Sequence, residues 1–84
     1  MASYSVETKL SPEEAVERAV SYFGPDVGKL EVTERESCCA HLVGGGGFVD
    51  IRAVGSEDKT TLHLETREWD IVVRQFMKQI SDAK

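Results

Sequence analysis

The chain has 84 residues and a net charge of −5, which is one domain, residues 1–84, burying about 60–65% of its unfolded surface and leaving little room for both a core and a large cavity. An acidic surface lacks the electrostatic term that drives nucleic-acid binding and is repelled by anionic membranes. No apolar run approaches the ~20 residues that span a bilayer, and Met1 to Ser5 carry neither a basic nor an apolar leader region, so a cytoplasmic location is the expectation.

Residues 4–9 alternate, with Tyr4, Val6 and Thr8 on one side, and read as a strand. Ser11-Pro12-Glu13-Glu14 is a helix start: Ser11 suits the N-cap, Pro12 the first turn, and Glu14 completes a capping box. Val16, Ala19, Val20 and Phe23 form one apolar stripe, which predicts a helix over 12–23. Gly24-Pro25 is expected to end it, with Gly24 in the left-handed position after the last turn. Residues 29–33 alternate again and read as a second strand, followed by a tight polar connection through Arg35, Glu36 and Ser37.

Residues 38–43 read as a third strand and 48–54 as a fourth, joined by Gly44 to Gly47. Glycine reaches positive φ without steric cost, so the run reads as a hairpin loop that pairs Val43 with Phe48. Loop geometry alone explains the run most simply, and its excess of glycine leaves room for a further gain, such as flexibility or close approach of a partner. Gly55 to Lys59 is expected to be a second hairpin loop, leading to a fifth strand over 60–66. The last segment, 67–82, carries Trp69, Val72, Val73, Phe76, Met77 and Ile80 on one helical stripe. Thr66 is its expected N-cap, Lys78 and Lys84 complement its C-terminal end, and Ile71 lies off the stripe.

The fold class is therefore α+β: one antiparallel sheet with two helices on one face, in the order β-α-β-β-β-β-α. This order resembles the helix-grip architecture of START-like and plant pollen-allergen-like lipid-binding proteins and of the repeat unit of the TATA-binding protein. The resemblance covers the whole chain and rests on element order. The run Gly44 to Gly47 is similar in kind to the glycine-rich loop of the pollen-allergen group. The chain is much shorter than the lipid-binding members and too acidic to share the DNA surface of the TATA-binding unit. The resemblance thus implies a fold, and no functional residue is carried over.

Hairpin register sorts the faces. Cys38, Ala40 and Leu42 should oppose Ala53, Ile51 and Val49 toward the helices. Cys39, His41 and Val43 should oppose Arg52, Asp50 and Phe48 on the open face, with Thr61, His63 and Glu65 beside them. His41, Asp50, Arg52, His63, Glu65, Cys39 and Phe48 are the candidate surface site. A solvated face with cross-strand pairs such as His41–Asp50, each contributing about 0.2–1 kcal/mol, explains the same residues more simply. No spacing in the sequence marks a metal site, a catalytic set or a cofactor. Both cysteines are expected to be reduced thiols, because neighbours in sequence rarely bridge. Cys38 should face the core, and Cys39 should be an exposed thiol favoured as thiolate by Arg52.

The leading expectation is a binding domain whose open face takes a second copy of the chain or a protein partner. A second reading is a small apolar ligand held in a pocket lined by Ile51, Leu62, Trp69, Val73 and Phe76, which requires an internal cavity of about 300 Å³ or more. A third is a metal- or thiol-dependent enzyme at His41, Asp50, His63 and Cys39.

Overall fold

A computed structural model describes residues 2–81. The chain runs through β1 (Ala2–Thr8), α1 (Pro12–Ser21), β2 (Glu31–Arg35), β3 (Cys39–Gly44), β4 (Gly47–Ser56), β5 (Lys59–Arg67) and α2 (Asp70–Ser81). This is the expected α+β order. The five strands form one open antiparallel sheet in the spatial order β1-β5-β4-β3-β2. The chain starts at one edge, crosses under the sheet through α1 to the far edge, and meanders back until β5 meets β1.

Helix α1 begins as its sequence dictates. The Ser11 hydroxyl accepts from the Glu14 amide at 3.3 Å and donates to the Glu14 carboxylate at 3.1 Å. Ser11→Ala is expected to lower the unfolding free energy by about 1 kcal/mol, read as a lower urea midpoint at unchanged slope.

The helix ends differently from the expectation. Pro25 has no amide to donate, and the backbone widens into a π-helical turn over Tyr22–Asp26. The amides of Val27 and Gly28 both reach the Tyr22 carbonyl, at 3.0 and 3.1 Å. Gly24 has φ −87°, so it does not take the left-handed position; Lys29 does, at φ 60°. The chain then enters β2 later than the alternation suggests, and a register shift between Val32 and Glu34 interrupts its pairing with β3.

The second helix also starts later. Strand β5 continues to Arg67, Glu68 turns the chain at φ 78°, and α2 begins at Asp70. Thr66 is therefore no N-cap. It is buried in the sheet, where its hydroxyl donates to the Phe48 carbonyl at 2.8 Å. The expected end of this helix at residue 82 and the role given to Lys84 lie outside the described residues.

Both helices cover one face. Ala15, Val16, Ala19, Val20 and Phe23 from the α1 side meet Val73, Phe76 and Ile80 from α2 over Leu42, Val49, Ile51, Leu62 and Leu64. Tyr22, Phe23 and Phe76 form an aromatic cluster with ring centroids 5.1–5.5 Å apart. Tyr4 ties β1 to the start of α2 by donating to Asp70 at 2.7 Å. At the end of the β1–β5 pair, Lys59 donates to Glu7 at 3.0 Å; this hydrogen bond, aided by the carboxylate's charge, raises the Lys59 pKa. No buried side-chain polar atom among the described residues lacks a hydrogen-bond partner.

Candidate functional site

The open face is set by one tight turn. Gly45 and Gly46 both have positive φ, 57° and 80°, which makes a two-residue hairpin turn of the type whose twist suits flanking strands. Gly44 and Gly47 pair across it, followed by Val43 with Phe48, His41 with Asp50, and Cys39 with Arg52. The next strand continues these rows, with Arg52 opposite His63 and Asp50 opposite Glu65. One row therefore reads Cys39–Arg52–His63, and the adjacent row reads His41–Asp50–Glu65.

Glycine at position 45 has a local cause beyond the turn. The Trp69 indole lies over the turn and donates to the Gly44 carbonyl at 2.9 Å. A Cβ on Gly45 would stand 2.8 Å from Trp69 Cζ2. The close approach at Gly45 is thus to the chain's own tryptophan, while a Cβ on Gly44 would meet Leu30 and one on Gly47 the backbone of Arg67.

His41 is held from two sides. Its Nδ1 donates to Asp50 Oδ1, and its ring stacks on Phe48 at 5.7 Å between centroids with 22° between planes. The orientation leaves Nε2 as the ring's free polar atom. The ion pairs among the described residues are His41–Asp50 and Lys59–Glu7, so the exposed charges of Arg52 and Glu65 are not spent on each other. The rows line a groove of about 490 Å³ that includes Cys39, His41, Asp50, Arg52, His63 and Glu65. Glu34 and Glu36 wall it from the β2 side and Ser3 from β1. Sequence reasoning missed these walls, because the shifted register of β2 and the edge position of β1 leave no mark in local alternation.

The cysteines depart from the expectation. Cys38 and Cys39 are joined as a disulfide. In a pleated strand, neighbouring side chains point to opposite faces and their sulfurs lie apart. Here strand β3 starts only at Cys39, and Ser37 and Cys38 form the bend that joins it to β2. The bend lets both sulfurs meet. It also leaves Cys38 exposed, not in the core, while Cys39 is half-buried. With its sulfur bonded, Cys39 is not a free thiol.

Ile51, Leu62, Val73 and Phe76 are packed in the core, each 3% exposed or less. Trp69 packs beside them with its nitrogen committed to Gly44. Phe76 also reaches a groove of about 540 Å³ between the helices, together with Tyr22 and Ile80. Ile71, 73% exposed, belongs to the helical layer and not to the face that carries Val43 and Phe48. Among the described residues no group of three or more His, Cys, Asp or Glu side chains is arranged to hold a metal ion. No helix among them is long and apolar enough to cross a membrane.

No protein-family model matches this chain, and no similar curated protein was found.

Proposed function

We propose that the chain is a binding domain of minimal helix-grip architecture that acts through its open sheet face, with a second copy of itself as the occupant its charges favour over an unrelated protein. The observation that carries this reading is the pair of adjacent rows. Arg52 and His63 lie in one, Asp50 and Glu65 in the next, with Arg52 and Glu65 in no ion pair among the described residues. A two-fold axis between the rows would set each basic row against the acidic row of the other copy, as an isologous interface requires. Phe48 and Val43 would supply apolar contact beside them. The ligand-pocket and enzyme readings have no comparable support: the five pocket residues are packed against one another's elements, and Cys39 is bonded to Cys38. A cytoplasmic location belongs to the same reading, and a disulfide there would be of the transient, chemically active kind.

The test is sedimentation equilibrium with a two-dimensional NMR concentration series. Mass is expected to rise with concentration, with shifts at His41, Phe48, Arg52, His63 and Glu65. Phe48→Asp should abolish the rise, and Arg52→Glu should weaken association about tenfold, which is ~1.4 kcal/mol. Arg52→Glu mixed with Glu65→Arg should restore it. A monomer at millimolar concentration whose open-face shifts stay fixed rejects the proposal.

A further inference from the structure

We propose that the Cys38–Cys39 pair is a thiol-exchange site, at which a low-molecular-weight thiol adds to Cys38 and Cys39 is the leaving and resolving sulfur. The inference does not require self-association, although it shares Arg52 with that surface, and it rests on three features of the turn between β2 and β3 and its neighbour on β4.

First, the bond is not needed to hold the turn. The backbone of Glu36 and Cys39 exchanges two hydrogen bonds, at 2.8 and 3.3 Å, and the Cys38 carbonyl accepts from the Ala53 amide at 2.8 Å. These fix both residues whether or not their sulfurs are joined. A bond between sequence neighbours also closes the shortest possible loop, so it constrains the unfolded chain least. A disulfide that staples so little is better explained by its chemistry.

Second, the two sulfurs are unequal. Cys38 is exposed on the outer side of the bend, beside Pro12 and Ser37. Cys39 is half-buried in the groove of the open face. An incoming thiolate therefore meets Cys38 first.

Third, Cys39 lies directly opposite Arg52 across the β3–β4 pair. A guanidinium there stabilises the thiolate that departs, and exchange is faster when the leaving sulfur is the better anion.

The chemistry balances as follows. A thiolate RS⁻ attacks Cys38 Sγ, forming the R–S–S–Cys38 mixed disulfide and releasing Cys39 as thiolate. Cys39 then either attacks Cys38 Sγ and expels RS⁻, restoring the starting bond, or a second RS⁻ attacks the sulfur of R. The second route yields RSSR and the Cys38 thiolate. Two thiols are thereby oxidised to one disulfide, and the protein disulfide is reduced to two thiols by the same two electrons.

The test uses the full chain and glutathione, with acid quenching, alkylation and mass spectrometry. In mixtures of reduced and oxidised glutathione, two alkylated cysteines should appear together as the reduced form is increased. During reduction of the wild-type bond by glutathione, the acid-trapped mixed disulfide should be found on Cys38 about tenfold more often than on Cys39, because Cys38 is the exposed sulfur and Cys39 the better leaving thiolate. Measured on the monomer at high dilution, where the self-association surface does not contribute, Arg52→Gln should slow reduction of the bond about threefold while leaving the urea midpoint unchanged, a split that a purely structural role would not produce. Two thiols that stay alkylatable in every mixture would overturn the proposal. So would a mixed disulfide shared equally between the two cysteines, or a reduction rate indifferent to Arg52.

Discussion

Phe23→Ala is expected to lower the unfolding free energy by about 3–5 kcal/mol, the cost of removing a large buried aromatic and leaving a cavity. Phe23 is 0% exposed and sits where the π-helical turn brings the end of α1 against α2. Its ring meets Phe76 at 5.1 Å and Tyr22 at 5.5 Å, so one truncation removes two aromatic contacts as well as area. Its carbonyl also receives the Leu30 amide at 2.9 Å, which anchors the entry to β2. Natural domains have about 5–15 kcal/mol in total, and one of 84 residues belongs at the lower end. The variant should therefore be partly unfolded without denaturant. Urea unfolding followed by circular dichroism measures this, and Phe23→Leu, which keeps most of the volume, should lose less than about 1.5 kcal/mol. A loss below about 1 kcal/mol for alanine would mean that the helices close over the gap, and that the π-helical turn does not fix their spacing.

What the sequence made legible was whatever depends on local period. The stripe from Val16 to Phe23 and the alternation around Leu62 and Leu64 each name one buried face, and those side chains are buried. The Gly44 to Gly47 run fixed the register of β3 on β4 residue by residue, down to His41 opposite Asp50. Hence the candidate face follows from local period and the glycine turn alone. What failed depends on backbone geometry that period does not encode. Gly24-Pro25 matches the pattern of a left-handed stop, and nothing in the period marks the widened turn that forms instead. Thr66 is a good N-cap type, yet its burial and its bond to Phe48 keep it in the sheet. Cys38 looked like the first residue of a strand, but pairing begins one residue later, and that single step changes it from core residue to exposed half of a disulfide. The errors are one to three residues at element ends, where side-chain chemistry is most sensitive to them.

Alanine at each of three neighbouring glycines should destabilise for three different reasons, and the order is expected to be Gly47 above Gly45 above Gly46. At Gly46, with φ 80° and open space around the missing Cβ, only the left-handed backbone opposes alanine, at about 1 kcal/mol. At Gly45 the same backbone cost at φ 57° is joined by the indole ring 2.8 Å from the new carbon. Trp69 must then swing away, loosening its bond to the Gly44 carbonyl. At Gly47 the Cβ would press into the Arg67 carbonyl oxygen and meet Glu68 Cβ at 2.8 Å. Backbone of a paired strand cannot step aside as a side chain can, so the loss should reach about 2–3 kcal/mol. Trp69 is the chain's one tryptophan, so its fluorescence reads the turn directly. Gly45→Asn separates the two costs at that position, because asparagine accepts positive φ but occupies the indole's space. It should shift the emission to the red, whereas Gly46→Ala should not. If Gly45→Asn left both emission and stability unchanged, the indole would not be what requires glycine there, and the run would have to be explained by the hairpin twist alone.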